Sequence, residues 1–218
     1  MHPPPLSPTA SRTAIRLDYV FSGLSSIGTL CILGWVLGFA HYGLDLTDES
    51  FYLVWISNPF IYDASVTQFG FIYHPLYEML GGNLVRLRQA NILITFLLSW
   101  ALIDVVLAKT LHGVTTARAF RLILSAGFAT SSMMAFSLWL TTPSYNSLNL
   151  QALLITTIGI LHASRTPSVA STVGWVLIGV GGWLSFMAKP SSAAALAACV
   201  LLYLALTRKL GPKLLKIG

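Results

Sequence analysis

The run VASTVGWVLIGVGGWLSFMA, residues 169–188, carries no charged side chain and stops at Lys189-Pro190, beyond which residues 191–207 are apolar again. A helix needs about 20 predominantly apolar residues to cross the hydrocarbon core of a bilayer, and this run has that length. Comparable stretches lie at 20–40, 89–107, 120–140 and 147–163, so the pattern predicts six spans. Glycines 179, 181 and 182 fall within the quoted run, where they are expected to permit close helix packing.

Composition agrees with a lipid solvent. The chain has 218 residues, of which 55% are hydrophobic and 9% charged, and its mean hydropathy is +0.73. A soluble domain of this size could not bury so much apolar surface. The first span starts too far in, and lacks the small-residue cleavage pattern, for a removable signal peptide. The proline-rich tail before it, residues 1–17, is expected to be disordered and cytoplasmic. Cys31 and Cys199 offer neither a disulfide framework nor metal-ligand spacing and read as small core residues.

The formal charge of +6 follows the spans rather than a polyanion ligand, so no nucleic-acid partner is expected. Arg12, Arg16, Lys109, Arg118, Arg121, Arg165, Arg208, Lys209, Lys213 and Lys216 share one side, ten of the 13 basic residues. Arg86, Arg88 and Lys189 are on the other. The positive-inside rule therefore places both termini, including the basic tail 208–218, in the cytoplasm of a multi-pass inner-membrane protein.

That orientation puts one long loop, residues 41–88, outside, with Asp45, Asp48, Glu49, Asp63 and Glu78, five of the seven acids. Its aromatic content favours helices lying at the interface. Phe51, Val54 and Trp55 recur at helical spacing and Asn58-Pro59 ends that helix. A second short helix is expected after His74-Pro75, with Leu76, Met79 and Leu80 on one face and Gly81-Gly82 as its stop.

Three acids crowd the start of this loop. Helix capping explains part of that: Thr47 as N-cap, Asp48 and Glu49 in the first turn, Leu46 packed on Phe51. Holding carboxylates at a membrane face also suits electrostatic or acid–base work. Lys189, isolated between two apolar spans, calls for an anionic partner such as a lipid phosphate or a carboxylate. Arg86 and Arg88 at the start of the second span read singly as headgroup-snorkelling residues. His74 is expected to pack or hydrogen-bond near the acids, and Tyr145 and Asn146 face the same side, where they could bind a sugar. Asp104 is expected in a structural ion pair with Lys109 or a group on another helix. No closed metal-ligand set is visible, although Asp45, Asp48 and Glu49 could share a divalent ion.

With these residues in view, the chain resembles membrane glycosyltransferases of the GT-C superfamily, in particular the protein O-mannosyltransferase and aminoarabinose-transferase-like branch. The resemblance rests on an N-terminal span followed by a long outer loop with Asp48-Glu49 at its start, on that loop's interfacial helices, and on Gly182-Trp183-Leu184-Ser185-Phe186-Met187-Ala188-Lys189. It covers residues 18–207 at the level of topology, and family members usually carry more spans. It implies an inverting transferase that moves a sugar from a polyprenyl-phosphate donor to an acceptor hydroxyl on the outer (periplasmic or extracellular) face of the cytoplasmic membrane. Asp48 would be the base, Glu49 its positioning partner, and Lys189 with Arg86 or Arg88 the phosphate binders; Asp45, His74, Tyr145 and Asn146 would complete the substrate site. Its partners would be the lipid-linked donor, membrane lipid and, for so short a member, a second membrane chain.

Two alternatives stand beside it. One is a non-catalytic lipid-carrier flippase or transporter subunit using Asp104, Ser131, Ser132 and Gln151 as a polar path, without paired mid-membrane charges or an inverted repeat. The other is an inactive fragment of a longer glycosyltransferase.

Overall fold

The computed structural model describes residues 8–43, 45–61, 65–111, 118–164, 166 and 168–207. Residues 1–7, the basic tail 208–218, Asp63 and Arg165, all used in the sequence reading, lie outside the described residues. The described chain is helical: α1 (Pro8–Phe39), α2 (Asp48–Ser57), α3 (Phe69–Met79), α4 (Leu84–Thr110), α5 (Arg118–Ala129), α6 (Ala135–Leu138), α7 (Tyr145–His162), α8 (Val169–Ala188) and α9 (Pro190–Leu206). Short 3-10 turns occupy Pro59–Ile61 and Thr130–Met134. Helix α1 begins at Pro8, where the sequence reading placed a disordered tail through residue 17; proline is preorganised for the first helical turn.

Among the described residues, four helical segments are long and apolar enough to span a membrane: Leu17–Phe39, α4, the stretch Arg118–Leu138 and α8. The chain is thus a multi-helical membrane protein, and the expected count of six is not reached. Helix α9 is apolar but only 17 residues long. Helix α7 opens with Asn146, Asn149 and Gln151, which dilute its hydropathy. It runs through the core, packed against α4 on one side and along α8 on the other. Helices α1, α8 and α9 keep broad apolar faces exposed, including Leu24, Leu30, Val176, Trp183 and Leu202. Cys31 and Cys199, expected in the core, are exposed on α1 and α9 for the same reason: much of each of those helices faces outward.

Helices α2 and α3 lie across one end of the bundle, called the loop end below. Tyr52, Trp55 and Ile56 of α2 bury against Phe69 and Tyr73 of α3 and against Leu87, Leu148 and Ala188 from three bundle helices. The Gln68 N–H donates to the Met187 carbonyl at 2.7 Å, tying the start of α3 to the end of α8. The chain approaches closely where α3 crosses α2, since a Cβ on Gly70 would come within 2.7 Å of the Trp55 carbonyl oxygen. Helix α3 starts before His74-Pro75 rather than after it; Phe69, Gly70 and Tyr73 are buried in its first turns and anchor it ahead of the proline. It stops as expected at Gly81 and Gly82, whose φ values of 66° and 70° suit residues without a Cβ.

A buried polar chain locks three helices together. The Tyr73 hydroxyl donates to Gln151 Oε1 at 2.9 Å, and Gln151 Nε2 donates to Asn91 Oδ1 at 2.9 Å and Thr95 Oγ1 at 3.1 Å. Asn91 Nδ2 in turn donates to the Thr141 carbonyl at 2.8 Å. Gln151 is therefore a satisfied core group, not the lining of a path. Replacing it by Leu leaves the Tyr73 hydroxyl and the Asn91 amide short of partners, at a cost expected to be about 1–3 kcal/mol. Thermal unfolding in detergent against wild type checks this; an unchanged midpoint would mean that the network contributes nothing.

The other residues of a transport path are likewise consumed. Asp104 pairs with Arg121 of α5 at 2.7 Å, the expected ion pair in its second form, with a group on another helix. Ser131 and Ser132 donate to the Phe128 and Ala129 carbonyls of their own helix, at 2.8 and 2.7 Å.

Candidate functional site

The acidic stretch opens α2, and its three carboxylates part company there. Adjacent residues on a helix point about 100° apart, since a turn holds 3.6 residues. Glu49 faces the protein and is 2% exposed, while Asp48 and, in the preceding turn, Asp45 face solvent.

Glu49 meets Arg88 of α4, which is 3% exposed. Arg88 Nε and Nη2 donate to Glu49 Oε1 at 2.8 and 2.6 Å. The remaining guanidinium hydrogens reach the carbonyls of Ala40 at 2.9 Å, Tyr42 at 3.4 Å and Gly43 at 2.8 Å. Thr142 Oγ1 accepts from Arg88 Nε and donates to Glu49, whose Oε2 accepts the Asp45 N–H at 3.0 Å. One ion pair thus joins the end of α1, the start of α2, α4 and the loop before α7. Two expectations are corrected by it. Arg88 has all its donors engaged and none left for a lipid phosphate, and Glu49 is a buried structural anchor rather than a group at the reacting centre. The notion that Asp45, Asp48 and Glu49 share an ion is corrected too: Glu49 is committed to Arg88 and Asp45 to Thr47, and the described residues hold no cluster of three such groups.

The capping expectation also changes. Thr47 makes no side-chain cap; its N–H and hydroxyl donate to Asp45 Oδ1, the former at 2.8 Å. Those bonds hold the Asp45 carboxyl below its usual range, so it stays ionised into mildly acidic solution. Leu46 is exposed and does not staple to Phe51.

Asp45 and Asp48 line an open cleft of about 380 Å³ at the loop end. Its other walls are Tyr52 of α2, Phe136–Leu140 leading out of α6, and Ser144 and Asn146 at the start of α7. Ser144 is itself a cap: Ser144 and Ser147 form a reciprocal capping box, which fixes the direction in which Asn146 leaves the helix start. Tyr52 packs edge-on against Tyr145, ring centroids 5.9 Å apart. Burial, followed by Tyr145 and Asp48, pushes the Tyr52 phenol well above its ordinary value, so it remains a neutral hydroxyl at any working pH. The cleft therefore offers carboxylates, an amide, hydroxyls and the Trp139 ring, a set suited to a hydroxyl-rich ligand.

The remaining candidates lie elsewhere at the same end. His74 Nδ1–H donates to the Ile56 carbonyl at 2.8 Å and ties α3 to the end of α2. Tyr145 stands behind the cleft wall, in contact with Tyr52 and Phe69. Arg86 is exposed in the first turn of α4, and Lys189 is exposed at the α8–α9 junction; neither lines the cleft. Sequence reasoning missed Thr142, Ser144 and Trp139. The signal for Ser144 was present in Ser144-x-x-Ser147 ahead of an apolar helix.

No family model, curated protein or solved structure matches the chain.

Proposed function

We propose that this chain is a membrane glycosyltransferase module in which Asp48 is the general base. A polyprenyl-phosphate-linked sugar is the donor, and the working face is the outer face of the cytoplasmic membrane. The observation that carries the reading is the polar cleft at the loop end, where Asp48 stays exposed while its neighbour Glu49 is withdrawn into an ion pair. The bias of basic residues toward the opposite helix ends, such as Lys109, Arg118 and Arg121, supports the orientation.

The chemistry asks little beyond these groups. A sugar on a phosphate already has an activated anomeric carbon. The acceptor hydroxyl gives its proton to Asp48 as its oxygen bonds the anomeric carbon; the bond from that carbon to the phosphate oxygen breaks on the opposite face, inverting the centre. The phosphate leaves with the bonding electrons, and exposed Lys189 and Arg86 are the cations available at this end to meet that charge. Asn146, Ser144 and Tyr52 would hydrogen-bond the hydroxyl-rich partner.

The test is sugar transfer by the protein in lipid bilayers, from a polyprenyl-phosphate hexose, to a panel of hydroxyl acceptors. Asp48→Asn is expected to lower the rate by about 10²–10⁴-fold with folding intact. Undiminished transfer by that variant would remove Asp48 as base, and no transfer by the wild type would remove the transferase reading.

A further inference from the structure

The polar cleft borders a second, apolar groove. Behind Phe136 and Ser137, which form a wall common to both, lies a groove of about 300 Å³ lined by Trp35, Val36 and Phe39 of α1 and by Met133. The groove opens on the apolar side of α1, where Trp35 and Phe39 are 67% and 49% exposed. The cleft holds Asp45 and Asp48 and no lysine, arginine or histidine among its lining residues. Arg88, the nearest basic group to the acidic turn by its bonds, is spent on Glu49 and three carbonyls.

We propose that cleft and groove together bind the acceptor, and that the acceptor is a membrane lipid with an uncharged, hydroxyl-bearing head. This rests on the transferase reading above. The head lies in the cleft with its hydroxyl on Asp48, and one acyl chain runs past Phe136 into the groove beside α1. Two carboxylates without a cation repel an anionic head, and they accept hydrogen bonds from hydroxyls. An apolar groove adjoining the base serves an acceptor that arrives from the bilayer. The same lack of a cation places the donor's phosphate outside the cleft, toward Arg86 and Lys189. The proton goes from the lipid hydroxyl to Asp48 and the lipid oxygen takes the sugar, so nothing beyond donor and acceptor is consumed.

The apolar cavity of about 550 Å³ between α7, α8 and α9 serves as an internal control, since no charged side chain lines it. Diacylglycerol and phosphatidic acid, each with the same diazirine-bearing chain, are photocrosslinked to the protein in bilayers, and the labelled residues are mapped by mass spectrometry. Diacylglycerol is expected to label the α1 groove about fivefold or more over phosphatidic acid, a preference that the control cavity beside Lys189 does not share. Asp45→Asn with Asp48→Asn is expected to erase the preference. Val36→Trp and Met133→Trp, tested separately in case one fails to fold, are expected to cut groove labelling while the control cavity holds. Equal groove labelling by the two lipids overturns the proposal, as does transfer to glycerol that matches transfer to diacylglycerol. Selective labelling without transfer to any acceptor removes the transferase reading and leaves a lipid site. Transfer with unselective labelling removes the lipid acceptor and leaves the transferase.

Discussion

Replacing Arg88 by Leu is expected to destabilise the protein by about 3–5 kcal/mol, the cost of stripping one partner from a buried ion pair. The loss has two parts. The Glu49 carboxylate stays 2% exposed with only Thr142 and the Asp45 N–H to hold it. The carbonyls of Ala40, Tyr42 and Gly43 also lose their donor together, at the point where α1 turns into the loop. Glu49→Gln should cost less, because an amide oxygen still accepts from the guanidinium. Replacing both partners by apolar residues of similar volume should cost less than Arg88→Leu alone, since no charge is then left unpaired. Unfolding midpoints of the four proteins in one detergent check the ordering. Equal values for Arg88→Leu and the double variant would mean that the carbonyls, not the charge, dominate.

This pair also marks how far the sequence could be read. Asp48 and Glu49 are neighbours of similar chemistry, and nothing local says which faces the core. That choice depends on Arg88, 39 residues from Glu49, and on Thr142 in a separate loop. Arg88 did carry a signal: it sits inside a span-length helix, a turn beyond the Asn83 cap. A lone arginine that deep at a membrane boundary asks for a carboxylate, and Glu49 was on offer. That the loop holds two short helices, that the second stops at Gly81-Gly82, and that the 41–88 and 141–146 segments meet were legible, because periodicity and charge bias act locally; the start of α3 ahead of His74-Pro75 was not. Which faces of α2 pack was not: Phe51 and Val54 are exposed, while Tyr52 and Ile56 fill the core.

Only four of the six expected spans meet the length and hydropathy of a lipid-facing helix, for a related reason. Hydropathy counts residues without knowing what surrounds them. In α7, Asn149 accepts from the Ser185 hydroxyl at 3.0 Å and Gln151 bonds Tyr73, Asn91 and Thr95, so its polar residues meet protein. A helix flanked by α4 and α8 does not need the apolarity of one facing lipid. What it needs is close approach, and that requirement falls on small residues.

Gly181→Leu and Gly174→Leu should therefore be among the most damaging substitutions in the chain, each costing at or above the upper end of the ~1–3 kcal/mol usual for overpacking. A Cβ on Gly181 would come within 2.8 Å of the Ala152 carbonyl oxygen and 2.9 Å of the Thr156 nitrogen. On Gly174 it would meet the Ala163 nitrogen at 2.6 Å and the Gly159 carbonyl oxygen at 2.9 Å. These neighbours are backbone of the facing segment and cannot rotate away, so the helices must separate. Separation would also strain the Ser185–Asn149 bond, near the end of α8 that α3 rests on. The glycines at 179 and 182 were expected to share this role and do not: nothing lies within 4 Å of a Cβ at either. Gly179→Ala should instead be neutral or stabilising by up to about 1 kcal/mol, the difference in helix propensity. The yield of monodisperse protein and its unfolding midpoint, measured across the three variants, decide between a packed α7–α8 seam and a loose one. A seam in which Gly181→Leu behaves like Gly179→Ala would not be holding the two helices together.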